Sequence, residues 1–320
     1  MVSQPQLTVS KNQNGYKSPF EQWDEISWIR AKPIREGIIS GLPFSPDLVP
    51  LASHPEIAKN RNSWMKALAY QLLGHLRFTN ILELSHVNPV TAGLAEGRAP
   101  FRITYQQQSD ALRIYCDEGG HALFTEHLAK QVRETYGIDP SMIGRPRFEI
   151  ELEKILEEHK TQISPDLIKL FFVAISETLI TKVLHSLPHD PDVDPLVRKV
   201  IGDHAADEGR HNIYYRTLFP MIWDSLPCYH QEEVGKILPK LLCAFVGPDL
   251  EFEYRVLRQL GYNSEDARGM LEDIHPVSKT CESARKAAAP SLKMFDEAGV
   301  FNIAVVEQTF ADHSYLVEKN

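Results

Sequence analysis

The chain has 320 residues, 43% of them hydrophobic, and a formal net charge of −9. It is long enough to bury a full core as one large or two modest domains, and its acidic balance leaves no basic excess to displace counterions along a phosphate backbone, so no nucleic-acid partner is expected. No run of about 18 apolar residues is available to span a membrane, and the N-terminus MVSQPQLTVSKNQNG has no apolar leader core. Cys116, Cys228, Cys243 and Cys281 form no Cys-x-x-Cys pair; they read as free thiols of a reducing, cytoplasmic environment.

Residues 1–20 are polar and read as a disordered or loosely docked arm. Residues 31–60 carry five prolines, which predicts an irregular wrap with short helical turns. Arm and wrap, 1–60, precede one helical domain, 61–320. From residue 62, SWMKALAYQLLGHLRFTNILELSH repeats apolar residues at three- and four-residue steps, the pattern of a long core-facing helix. It should stop near Asn88-Pro89, because proline disfavours helix in the residue before it. A second helix is expected over 104–136 and a shorter one over 147–160. Ser164-Pro165 reads as an N-cap followed by proline at the first helical position, opening a helix over 165–187. Asp194-Pro195 repeats that signal and opens another, to about 218. Further amphipathic helices are expected at about 229–246, 249–260, 264–272, 277–298 and 300–316. Strand alternation is almost absent. The chain therefore reads as all-α, with a four-helix bundle core and additional packed helices. The pairs 62–87/104–136 and 165–187/193–218 look like a duplication.

The second helix of each pair carries a near-identical motif, DEGGH at 117–121 and DEGRH at 207–211. Residues three apart share a helix face, so Glu118 with His121, and Glu208 with His211, can aim at one centre. One Glu-x-x-His is common on charged helices, but two near-copies in one chain are not. Two such helices, each joined by a glutamate from another helix, form the ligand set of carboxylate-bridged dinuclear bundles. Glu83 and Glu177 stand 35 and 31 residues before Glu118 and Glu208, spacings that fit antiparallel helical hairpins. Both lie in apolar stretches, NILELSH and AISETLI, where an unpartnered carboxylate would cost several kcal/mol. His204, four residues before Glu208 and seven before His211, falls on the same stripe. Four carboxylates and three imidazoles without a thiolate suit iron or manganese.

Other residues take supporting parts. Asp117 and Asp207 are expected to accept the outer N–H of a ligand histidine, with a solvated surface position as the alternative. His86 follows Glu83 by three residues but has no counterpart in the second half, so it is expected outside the ligand set. Gly119-Gly120 costs roughly 1 kcal/mol per glycine in a helix, which is tolerated where another helix or a ligand must come close to the backbone. Thr79, Tyr115, Ala122, Val173 and Val200 lie a turn from the ligands and would line an apolar pocket suited to an aromatic ring. Tyr115 is a candidate substrate contact and Arg285 a candidate anchor for a substrate carboxylate. Tyr105, Tyr214 and Tyr215 also flank the motif helices.

With these residues in place, the chain resembles the p-aminobenzoate N-oxygenase family, ferritin-like di-iron enzymes of the aureothin and chloramphenicol pathways. The resemblance rests on Glu83, DEGGH at 117–121, Glu177 and HAADEGRH at 204–211, and the helical pattern agrees from about residue 62 to 316. His204 discriminates: ferritins, acyl desaturases and ribonucleotide reductase small subunits typically bind iron with two histidines and four carboxylates. The resemblance implies a ferritin-like fold, two iron ions (manganese being served by the same ligand types) and O2 as co-substrate. It implies a small amine substrate, aromatic in the family, oxidised at nitrogen to hydroxylamine, nitroso or nitro products in secondary metabolism. A homodimer is implied as well. No flavin or nicotinamide fingerprint is present, so an external reductase or reductant must supply electrons. The residues alone do not choose nitrogen over carbon. A di-iron hydroxylase or desaturase acting on carbon, and a ferritin-type iron-handling protein, are the alternatives.

Overall fold

A computed structural model describes residues 15–179 and 182–316. The first part of the expected arm, 1–14, and residues 180–181 of the helix expected over 165–187 lie outside the described residues. The N-terminal wrap contains α1 (Trp23–Ile26), α2 (Trp28–Ala31), α3 (Pro50–Ser53) and α4 (Pro55–Ala58), with a 3-10 turn at Pro46–Leu48. Its short turns match the proline-rich pattern, but the segment from Tyr16 onward is not loose. The Tyr16 hydroxyl donates to Asp110 at 2.7 Å, and Phe20, Trp28, Phe44, Leu51 and Ile57 are buried. Aromatic and aliphatic side chains at this spacing tie the strap to the bundle, at roughly 1.5–3 kcal/mol per fully buried side chain.

The bundle begins with α5 (Arg61–Leu82), whose first turn is capped by Asn60. It does not stop at Asn88-Pro89. The helix widens into a π segment, Glu83–Val87, and continues as α6 (Asn88–Ala95). The Asn88 N–H donates five residues back, to the Glu83 carbonyl. A proline ring clashes with the carbonyl four residues earlier in an α-helix; the wider π turn displaces that carbonyl and lets the chain stay helical through Pro89. α7 (Tyr105–Tyr136) opens with a Thr104–Gln107 capping box and ends at Gly137 with φ 62°.

α8 (Arg147–His159) follows, then α9 (Pro165–Thr178) and α10 (Lys182–Ser186). The single helix expected over 165–187 is thus divided, with Leu179 at φ −102°, ψ 75°. The run Thr178-Leu179-Ile180-Thr181 is rich in β-branched residues, which are stiff against the preceding turn. The Thr178 hydroxyl also bonds back to the Ala174 and Ile175 carbonyls. α11 (Pro195–Ser225) runs past the expected end at 218 and contains Pro220. α12 (Cys228–Val246), α13 (Leu250–Gln259), α14 (Ser264–Ile274), α15 (Val277–Glu297) and α16 (Ala304–Asp312) complete the chain. Among the described residues there is no strand, and no helix is long and apolar enough to cross a membrane.

α5 packs on α7, α9 on α11, and α7 on α11, which makes the four-helix core. Two apolar clusters fill it. One joins Ile114 of α7, Phe171 and Phe172 of α9, and Leu218 and Phe219 of α11. The other joins Leu68 and Leu72 of α5, Phe124 and Leu128 of α7, and Val197 and Ile201 of α11. α7 passes from the first cluster to the second along its length, and α11 passes the other way. Both motifs lie at the waist where the clusters meet, so their polar side chains form a layer inside an otherwise apolar core.

Candidate metal centre

Four helices deliver the seven singled-out residues to this waist. Glu83 opens the π segment and Glu177 sits one residue before the end of α9. α7 supplies Glu118 and His121, while α11 supplies His204, Glu208 and His211. All seven are buried, none more than 8% exposed. His204 Nε2 lies 3.1 Å from Glu83 Oε1 and 3.0 Å from Glu208 Oε1. His121 Nδ1 lies 3.2 Å from Glu118 Oε2 and 3.5 Å from Glu208 Oε1. His211 Nδ1 lies 3.1 Å from Glu118 Oε1, 3.4 Å from Glu208 Oε1 and 3.6 Å from Glu177 Oε2. Two overlapping donor groups result: Glu83, His121, His204 and Glu208 form one, Glu118, Glu208 and His211 the other, with the donor atoms of each group within 4.8 Å of one another. Glu208 belongs to both, so it could serve a cation in either group.

The donor atoms themselves ask for a cation. Glu83 Oε2, Glu118 Oε1, Glu177 Oε2 and His211 Nδ1 are buried without a hydrogen-bond partner. Leaving such atoms unpaired costs about 1–3 kcal/mol each, and a pair of divalent cations at the shared centre would take up these lone pairs. The oxygen-and-imidazole donor set fits iron or manganese.

The aspartates pair across the motifs. Asp207 Oδ2 lies 3.1 Å from His121 Nε2 and Asp117 Oδ2 lies 3.3 Å from His211 Nε2, so each turns the other motif's imidazole with Nδ1 inward. Asp207 also accepts the Trp28 backbone N–H at 3.0 Å and is paired with Arg210. Asp117 accepts the Trp23 indole N–H at 2.8 Å.

Burial and neighbouring charge set the protonation. Burial, reinforced by the Glu118 charge, pushes Glu83 up to about 7, and the same burial holds Glu177 well above the carboxylate range. Burial opposes charge on the imidazoles, but Glu83 and Glu208 outweigh it and raise His204 to about 9. Carboxylate partners likewise hold His121 and His211 well above their ordinary value. Burial would also raise Glu208, yet the charges of His211 and His204 and the hydrogen bond from His204 bring it well below. Protons on histidine therefore balance the carboxylates until cations displace them.

A small cavity of about 40 Å³ abuts the cluster, lined by His75, Phe78, Thr79, Leu82, Leu179 and Phe245 together with Glu83, Glu177 and Glu208. It shares His75, Phe78 and Phe245 with a wider cleft of about 340 Å³. Burial lowers His75 to about 3, leaving a neutral imidazole whose Nε2 has no partner.

Of the other singled-out positions, Thr79 lines the small cavity, while Ala122, Val173 and Val200 are buried in helix packing. Tyr115 is 45% exposed; it lies about 60° around α7 from Glu118, enough to turn it outward. Arg285 is half-buried on α15 and lines neither the small cavity nor the wider cleft. Tyr105 is exposed, Tyr214 donates to the Gln107 carbonyl, and Tyr215 is buried. His86 packs edge-on against Phe148 and Phe172. Trp23, Trp28, Arg210 and His75 are site neighbours that sequence reasoning missed. The spacing Phe20-x-x-Trp23-x-x-x-x-Trp28 in a polar arm was the available signal for the strap.

A family model described as p-aminobenzoate N-oxygenase AurF matches residues 12–299. No curated protein matches the chain significantly.

Proposed function

Because the chain belongs to the p-aminobenzoate N-oxygenase family, it is a non-haem di-iron N-oxygenase, and we propose that it oxidises the nitrogen of a small aromatic amine in secondary-metabolite biosynthesis. Glu83, Glu118, His121, Glu177, His204, Glu208 and His211 hold the two metals in this reading, with iron rather than manganese in the native centre. The observation that carries it is the pair of overlapping donor groups sharing Glu208, with buried carboxylate and imidazole atoms left unpartnered among them.

When bound, the iron pair would activate O2, which supplies the oxidising equivalents. The chain's own residues position and exclude. Asp117 and Asp207 hold the imidazoles in register. Phe78, Leu82, Leu179 and Phe245 keep bulk water from the cavity wall. A water-sized group needs about 10–15 Å³, so the 40 Å³ cavity admits an amino group beside the metals but not a ring. The ring then occupies the wider cleft, with the neutral His75 at the neck between the two.

An external reductant completes the reaction, since no nucleotide fingerprint offers an internal donor. We further propose a homodimer, supported by exposed apolar side chains such as Tyr229, Val277 and Val305 on the helices added to the core. A cytoplasmic location accords with four free cysteines.

The test is anaerobic loading with ferrous iron, then isotopically labelled O2, followed by stopped-flow absorbance with and without arylamines. The expected result is an absorption band whose decay an arylamine accelerates, and a product carrying labelled oxygen on nitrogen. Label on carbon would move the chemistry to hydroxylation, and mineralisation of many irons per chain would indicate iron storage.

A further inference from the structure

The two histidine–aspartate arms leave the centre differently. Asp207, behind His121, ends on the backbone N–H of Trp28, whose side chain is fully buried, and on Arg210. Asp117, behind His211, ends on the indole N–H of Trp23, and that ring is only half-buried. Trp23 is flanked by Ile26 and Ile29, 44% and 40% exposed, and the Arg30 guanidinium stands 5.8 Å from its ring centroid. From the protein surface, one aromatic ring and two hydrogen bonds of 2.8 Å and 3.3 Å reach an imidazole facing the centre.

We propose that Trp23 is the port through which electrons from an external one-electron donor reach the metal pair. The inference rests on the di-iron reading above. Electron transfer weakens steeply across gaps and far less along bonds and hydrogen bonds, and the Trp23–Asp117–His211 path contains no gap. The opposite approach is closed to a donor protein, because the cavity on that side, walled by α5, α9 and α12, holds only about 40 Å³. The strap bearing Trp23 instead crosses α7 and α11, anchored by Trp23 on Asp117, Trp28 on Asp207, and Lys32 and Arg35 on Asp203. Amine and electrons therefore arrive from different sides, and neither need leave for the other to enter. Two transfers reduce two ferric ions to ferrous and oxidise two donor molecules by one electron each. The indole conducts as a bridge and is itself neither oxidised nor reduced.

The experiment compares wild type, Trp23→Phe and Trp23→Gln as full-length, iron-loaded proteins. Each is oxidised, freed of O2 and mixed with reduced methyl viologen. The rate of iron reduction is followed by absorbance and divided by bound iron, and no amine is added. Trp23→Phe removes the N–H, and Trp23→Gln keeps an N–H donor for Asp117 but removes the ring. Both should reduce severalfold more slowly than wild type per iron pair. Reduction of either variant at the wild-type rate overturns the proposal. Recovery by Trp23→Gln would in particular assign Trp23 to orienting Asp117 alone. A wild-type chain that takes up no iron pair overturns the di-iron reading and this inference together, whereas a reducible wild type with equally fast variants overturns the inference alone.

Discussion

His204 shows how much one residue settles in this centre. Its Nε2 faces both Glu83 and Glu208, so its removal leaves one donor group with two carboxylates and a single imidazole. His204→Ala should weaken iron binding at that position by at least about 10–100-fold, the loss that follows removal of even an outer partner. Iron per chain should fall from two towards one in a chelator assay, with the helical circular dichroism retained. Full iron content and full activity in this variant would refute the seven-ligand arrangement. His204 was legible in the sequence because steps of three, four and seven residues share a helical stripe whatever surrounds the helix. Trp23 was not, because it meets Asp117 across 94 residues of chain and no local periodicity reports such a contact.

The elements were legible where local chemistry governs them. Ser164 and Asp194 cap α9 and α11 as their sequence signal predicts, and the starts of these helices follow from that. The π segment at Glu83 and the end of α9 at Thr178 escaped the sequence reading, and both lie at candidate ligands. Each departs from regular α-helix where a buried carboxylate must face the centre. The motif glycines give a test at this scale. A Cβ on Gly119 would meet nothing within 4 Å, whereas one on Gly120 would lie 3.0 Å from Ile29 Cβ. Gly119→Ala should therefore stabilise the protein by roughly 0.5–1 kcal/mol through helix propensity. Gly120→Ala should fall short of that gain, because Ile29 and the strap must shift. Urea midpoints of the two variants against wild type decide the matter. Gly120 thus accounts for the close backbone approach that the glycine pair suggested, and the approaching group is the strap.

For the whole molecule, the centre links stability to pH. His204 is raised from 6.5 to about 9 in the fold, so its stabilising contribution is complete below 6.5 and is lost as pH climbs through 9. Glu83 is raised from 4.5 to about 7, so its contribution is present below 4.5 and is lost as pH climbs through 7. Both act in one direction, and the metal-free protein should become less stable from about pH 6 to about pH 8. Cations displace the same protons, so their binding strengthens over that interval. Thermal unfolding under anaerobic conditions should show the metal-free midpoint falling and the gap to the ferrous-loaded protein widening. A gap that narrows as pH rises would contradict this exchange of protons for metal.

The sequence by itself determined the all-helical character, the two motif stripes and the donor chemistry, because a period of 3.6 residues places Glu118 with His121, and His204 with Glu208 and His211, before any packing occurs. Only the tertiary structure decided that Asp117 serves His211 and Asp207 serves His121, that a proline-rich strap docks through Phe20, Trp23 and Trp28, and that a small cavity opens beside Glu83 and Glu177. Those are meetings between distant parts of the chain, set by how two apolar clusters pack around a polar waist, and helical periodicity carries no information about them.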